Sequence, residues 1–290
     1  AKGAFVSFRD TSATEVIQSG MPQFTSDSAL EKDRLPLEMA LLYEGYHAHI
    51  RVPLTSEGEI AGLFNVGSKK VDAFVPEHLA VLERLAAQTS VALKNASLVT
   101  ELKDMFLGTI TTLSSAIDAK SPWTAGHSKR VTRYALDIGK EMGLHAKGLK
   151  DLEMAGLLHD IGKLGTYQSI LDKSYKLTEI ETKVLRLHPA KGAEILSPIK
   201  QMREIVPAIR HHHEFYNGGG YPDGLKGEEI PLMARILCVA DSVDAMSAAR
   251  PYRKGKPMNV IIAELKRCSG TQFDPKVADV FVKMAEGGKL

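Results

Sequence analysis

Two stretches of the chain concentrate side chains suited to metal chemistry. MAGLLHDIGK, residues 154–163, sets His159 and Asp160 beside Met154, Leu157, Leu158 and Ile161, the apolar face of an expected helix. A lone histidine on such a face is most often a satisfied core residue. An adjacent carboxylate is different, because burying an unpaired charge costs on the order of several kcal/mol and a bound cation removes that cost. RHHHEFYNGGGYPD, residues 210–223, follows the run EIVPAI. The face of Ile205, Val206 and Ile209 continues through His212 and His213, while His211 falls to the side. Gly218, Gly219 and Gly220, with Pro222 and Asp223, read as a loop whose backbone can approach a ligand closely.

The same phase argument finds three more positions. His127 lies on a stripe with Val131, Tyr134, Ile138 and Met142. Asp241, in RILCVADSVDAM, shares a face with Leu237 and Ala245, so its carboxylate is also carried into apolar surroundings. His188 comes three residues after Leu185 and four after Val184, which turns it inward, and Pro189 follows directly.

His127, His159, Asp160, His188, His212, His213 and Asp241 thus converge. They are too many for one four-coordinate zinc with an open position. They suit two divalent ions sharing a carboxylate, with Asp160 as the bridge. Imidazole and carboxylate without thiolate fit iron or manganese at least as well as zinc. Two such ions activate a bridging hydroxide and stabilise in-line displacement at phosphorus.

The elements that must position these residues fall into three regions. Up to about Phe74, short apolar runs alternate with turn signals: AFVSF, AHIRVPL, then SEGE leading into IAGLFNV and GSKK. The middle pair reads as a hairpin across TSEGE, in the C-terminal part of a larger α+β domain. From Pro76 the period changes. Leu82, Leu85, Thr89, Ala92, Ala96, Val99, Phe106, Ile110, Leu113 and Ile117 follow steps of three and four, broken at Lys103. That is a heptad seam on a helix of roughly 60 Å, the mark of a parallel dimeric signalling helix. After Asp118 nearly everything reads as helix, with Thr178 and Glu181 forming a capping box.

Composition narrows the possible functions. The 290 residues are 44% hydrophobic, enough for well-buried cores. Thirty-seven basic against 35 acidic residues give a formal charge of only +2 with no basic stripe, which argues against general nucleic-acid binding. No apolar run reaches the ~18 residues of a membrane span, and AKGAFVSF lacks the layout of a secretory signal. The first residue is not methionine, so the native chain is expected to begin earlier. Cys238 and Cys268 have no CxxC spacing and read as structural thiols of a reducing cytoplasm.

HDIGK, HHHEFYNGGGYPDGLKGEEIP and RILCVADSVDAMSAARPYR occur in this order, and over Ala116 to Phe281 the chain resembles the HD-GYP subgroup of HD-superfamily metal-dependent phosphohydrolases. The resemblance implies an all-α domain that hydrolyses cyclic di-GMP to pGpG or on to GMP, some members preferring cyclic GMP-AMP, with a di-iron, mixed or trinuclear centre. It carries the ligand role onto the same seven residues. It also implies that Asp160 and Lys163 serve catalysis, that Lys163, Arg250 and Arg253 contact phosphate, and that Tyr221 and Pro222 line the substrate loop. Relatives with a third metal carry glutamate where this chain has Trp123, which cannot coordinate a cation. Two metals are therefore expected, unless Asp118 supplies the missing oxygen.

YHAHIRVPLTSEGEIAGLFNVGSKKVDAFVPEHLAVLERLAAQTSVALKNA, residues 46–96, is similar to the second half of a GAF domain, whose ligand these residues do not identify. The expected architecture is multidomain: a GAF-like α+β domain over 1–97, a coiled-coil linker helix over 98–117 and an HD-GYP domain over 118–290. The helix over 77–117 would form a homodimer. The expected function is a cytoplasmic cyclic di-GMP phosphodiesterase. Two other classes stay open: a receiver that binds the dinucleotide or a partner without turnover, which the intact ligand set argues against, and a mononucleotide phosphohydrolase, which the GGGYPDG loop argues against.

Overall fold

The computed structural model describes residues 11–31, 35–120, 125–171, 173, 177–248 and 255–289. The expected strand AFVSF, Trp123, Arg250 and Arg253 lie outside the described residues. The chain divides into two compact units, Ala1–Met105 and Phe106–Leu290.

The first unit holds α1 (Ala13–Ser19), β1 (Gln23–Thr25), α2 (Pro36–Tyr43), β2 (Ala48–Ser56) and β3 (Glu59–Ser68). The strands form one antiparallel sheet in the order β1-β2-β3. Glu57 and Gly58, the hairpin turn expected within TSEGE, both take positive φ (54° and 87°), the pairing whose twist matches that of the strands it joins. Alternation along β2 puts Ile50, Val52 and Leu54 on one face. There they pack with Phe64, Phe74, Leu79, Leu82 and Ala86. The opposite face buries Arg51, whose guanidinium meets Glu38 of α2 at 2.7 Å.

α3 runs from Pro76 to Asp118, 43 residues and roughly 65 Å. Proline at its start wastes no hydrogen bond, since the first helical N–H has no intrahelical partner. The apolar stripe along α3 is put to two uses. Leu82 packs in the core of the first unit, and Ile110 and Ile117 are buried in that of the second. Leu85, Val99, Phe106 and Leu113 are 44%, 50%, 39% and 38% exposed, and Ala92 and Ala96 are exposed as well, so these inner positions are left uncovered by the described residues. Ile117 is a core residue and not a seam position.

The second unit is helical: α4 (His127–Glu141), α5 (Ala146–Leu158), α6 (Gln168–Leu171), α7 (Glu179–Leu185), α8 (His188–Leu196), α9 (Val206–His211), α10 (Leu232–Ser247), α11 (Met258–Cys268) and α12 (Pro275–Glu286). α10 is the hub, packing on α4, α5, α9, α11 and α12. Thr178 and Glu181 form the expected capping box at the start of α7.

The metal-ligand candidates sit at helix ends more often than their phase suggested. α5 stops at Leu158, and Ile161–Gly165 forms a 3-10 turn. His188 opens α8 instead of extending α7, because Pro189 suits the first turn of a new helix and disfavours continuing an old one. His212 caps α9, with His213 just beyond it. Among the described residues no helix is long and apolar enough to cross a membrane.

Candidate metal centre

Glycine brings two of these helix ends together. A Cβ on Gly162 would lie 1.9 Å from the His188 carbonyl oxygen, so only glycine lets the turn after Asp160 rest against the start of α8. His188 Nε2 consequently lies 3.3 Å from Asp160 Oδ1. Gly220 serves the other side: a Cβ there would meet Phe215 N at 2.2 Å and His213 O at 2.5 Å, so the glycine loop folds back onto the histidine run.

Three imidazoles are oriented in the same way. His159 Nδ1 lies 2.7 Å from Gly156 O, His188 Nδ1 2.7 Å from Leu185 O, and His212 Nδ1 2.7 Å from Ile209 O. Each acceptor is a carbonyl, so each Nδ1 carries a proton and each ring points its Nε2 inward. His188 Nε2 and His212 Nε2 face each other at 3.3 Å. His159 Nε2 is buried without a hydrogen-bond partner among the described residues, 3.4 Å from Asp160 Oδ2. Burial keeps His188, His212 and His213 neutral. It pushes His188 down to about 3, His213 down to about 4 and His212 well below the usual imidazole range.

His127 is held differently. Its Nδ1 pairs with Asp244 Oδ2 at 2.7 Å, and its Nε2 lies 3.2 Å from Asp241 Oδ1 and 3.7 Å from Asp160 Oδ2. Burial opposes a charge on this ring, but the hydrogen bonds to Asp241 and Asp244 outweigh it and raise its pKa to about 10. Desolvation likewise opposes ionisation of Asp160, and Lys163 with the charged His127 more than offsets it, holding the carboxyl well below its ordinary value. Lys163 Nζ is 2.5 Å from Asp160 Oδ2.

The seven expected residues therefore gather in one place as linked groups. His127, His159 and Asp241 could hold one metal ion, and His188, His212 and His213 another; His159, Asp160 and His212 form a third grouping between them. Asp160 turns Oδ2 toward His127 and His159 and Oδ1 toward His188. Such a crowd of bare nitrogens and carboxylate oxygens is repulsive by itself and fits divalent cations.

Several supporting residues escaped the sequence reading. Asp244 is 1% exposed, orients His127, and is itself held by Arg130 Nε at 2.6 Å. Glu214 Oε1 accepts from Asp223 N and Gly224 N, tying the glycine loop to the end of the histidine run. Arg210 and His211 both bind Asp223, which accounts for His211 pointing aside. Asp118 accepts from Ser128 N and Oγ, at 3.1 and 2.7 Å, and so caps α4, whose own N-cap Gly126 has no side chain. Asp118 belongs to none of the metal-binding groups found among the described residues. Lys120 Nζ donates to the carbonyls of Lys163, Leu164 and Thr166 at 3.2–3.5 Å. Tyr221, joined to Pro222 by a cis peptide, stacks on His213 with ring centroids 5.0 Å apart.

Comparison with known proteins places this geometry in context. The HD domain family model matches residues 111–277, and the GAF domain model matches residues 2–94. The 3'3'-cGAMP-specific phosphodiesterase 3 of Vibrio cholerae is 41% identical over 176 residues, covering 60% of this chain and 38% of that protein. The cyclic di-GMP phosphodiesterase response regulator RpfG of Xanthomonas campestris is 38% identical, covering 63% of this chain and 49% of that protein. The cyclic di-GMP phosphodiesterase of Thermotoga maritima is 35% identical, covering 64% and 51%. The chain thus spans about half or less of the curated relatives it matches. A crystal structure of a Vibrio cholerae cyclic GMP-AMP phosphodiesterase shares the fold at TM-score 0.50 and 22% identity, covering 62% of this chain and 49% of that one.

Proposed function

We propose, since the chain belongs to the HD domain family, that it is a metal-dependent phosphodiesterase hydrolysing cyclic di-GMP to pGpG, GMP or both. The observation that carries this reading is the facing pair His188 Nε2 and His212 Nε2, 3.3 Å apart with both Nδ1 protons given to carbonyls, beside a carboxylate turned toward both histidine groups. Only cations relieve that arrangement without unmaking it. His127, His159 and Asp241 would hold one ion and His188, His212 and His213 the other, with Asp160 placed between the two groups. Two divalent ions bound there supply Lewis acidity to phosphoryl oxygens and lower the pKa of water. Iron fits this donor set best, manganese next and zinc less well.

The chain's own side chains do the rest. Lys163, beside Asp160, neutralises charge developing on the scissile phosphate. Tyr221 and Pro222 line the loop against the substrate, and Arg250 and Arg253 reach its phosphates. The 41% identity to a protein named for 3'3'-cGAMP favours cyclic GMP-AMP as a second substrate.

Residues 1–97 form a sensory GAF-like module, 98–117 a linker and 118–290 the catalytic domain, acting in the cytoplasm. The cavity of about 110 Å³ lined by Glu38, Tyr46, His49 and Asn65 takes the sensory ligand. The helix over 77–117 joins two copies. Anaerobic loading with iron or manganese, followed by product chromatography on both cyclic dinucleotides and on dNTPs, tests the activity. Linear products from a cyclic dinucleotide support it; metal-loaded protein that binds dinucleotide without turnover, or cleaves only dNTPs, overturns it.

A further inference from the structure

Tyr221 touches both a ligand candidate and an arginine. Its ring lies against His213, with centroids 5.0 Å apart and planes at 30°. The guanidinium carbon of Arg186 lies 5.1 Å from the same ring centroid. Arg186 closes α7 two residues before His188, so the chain places it beside the metal centre by construction. Its side chain is exposed and makes no ion pair or hydrogen bond among the described residues. Two neighbouring arginines differ: Arg130 is committed to Asp244 and Arg210 to Asp223.

An arginine held against a ring but lacking an anion keeps the edge of its guanidinium fork open. That edge matches two oxygens of a phosphate. A cyclic dinucleotide carries two phosphodiester groups on opposite sides of one macrocycle. While one is attacked at the metals beside Lys163, the other stays anionic and out of reach of those ions. It needs its own cation, close to the centre but not part of it.

We propose that Arg186 binds the second, non-scissile phosphate, with Tyr221 as the platform that holds the guanidinium in place. This rests on the cyclic-dinucleotide reading above. Arg186 thereby becomes a specificity-determining residue: it favours substrates with two phosphodiesters over those with one. The expected consequence is a KM effect, since a contact to a phosphate that does not react is equal in the ground and transition states.

The test compares Arg186→Ala and Arg186→Lys with the wild type, using cyclic di-GMP and bis(p-nitrophenyl) phosphate, which has a single phosphodiester. Arg186→Ala should raise KM for cyclic di-GMP by roughly tenfold to a hundredfold, the worth of one charge-assisted hydrogen-bonded contact. Its effect on bis(p-nitrophenyl) phosphate should be at least tenfold smaller. Arg186→Lys should recover part of the loss, because a point charge still attracts phosphate without the fork. Unchanged KM for cyclic di-GMP, or equal losses on both substrates, would overturn the assignment. Loss of bound metal in Arg186→Ala would do so as well, since Arg186 would then be holding the start of α8. Wild-type protein that cleaves bis(p-nitrophenyl) phosphate but no cyclic dinucleotide would instead remove the functional reading on which the inference stands.

Discussion

His188 and His212 face each other through Nε2 atoms 3.3 Å apart, and neither nitrogen has a proton to offer the other. Both rings are buried, His188 2% and His212 0% exposed, so little solvent screens the two lone pairs from each other. A bound cation turns this repulsion into coordination, and folding is then linked to metal. An ion present at about 100 times its Kd stabilises the native state by roughly 2.7 kcal/mol. For a domain of this size that is a rise in Tm of roughly 5 to 11 °C. Anaerobic chelation should lower Tm by this amount and re-addition of manganese or ferrous iron should restore it. An unchanged melting curve would speak against an ion between these rings.

Asp244 holds His127 from behind while Arg130 holds Asp244. Asp244→Asn keeps the shape and removes the charge that fixes the ring. Partners of this kind typically change metal affinity or activity by about 10- to 100-fold. The variant should fall in that range in metal titrations with its helical circular dichroism retained. Wild-type affinity and turnover would reduce Asp244 to a structural contact.

The C-terminal end of α3 and the turn after it grip the site twice, through Asp118 on the helix that begins with His127 and through Lys120 on the turn that carries Lys163. Lys120→Met should lower kcat by about tenfold, the effect of displacing a positioned group, while metal content stays at the wild-type value. Lys120→Arg should recover part of the rate. Equal losses of metal and rate would mean that Lys120 supports the fold alone.

The clustering of the seven residues was legible because carboxylates and imidazoles in phase with apolar residues are carried toward a common interior. Helix ends were less legible: periodicity carried α5 through Ile161, whereas the chain turns after Leu158 to let Asp160 meet His188. Asp244 stayed hidden although it lies three residues from Asp241, because its partner His127 is 117 residues away and an i+3 carboxylate carries no sign of which charge it serves. Glu214 and Lys120 were hidden because their partners are backbone groups, which a sequence does not distinguish. The α3 stripe was read as one seam, since a repeat cannot tell which of its residues the chain's own cores will claim.

The exposed middle of that stripe should associate with a second copy. Val99→Glu and Phe106→Glu, at positions 50% and 39% exposed, should shift the mass from dimer to monomer in light scattering without altering the melting transition. Ile117 is unsuited to this test, being 4% exposed in a core. A wild-type monomer at high concentration would contradict the assembly.

The most direct test is elemental analysis of anaerobically purified wild-type protein beside His159→Ala. The account predicts about two ions per chain in the wild type, as a paired site requires, and substantial loss of metal and of hydrolysis in the variant with its helices intact. Metal content and turnover unchanged by His159→Ala would contradict it, as would a wild-type chain that hydrolyses substrate while holding no metal.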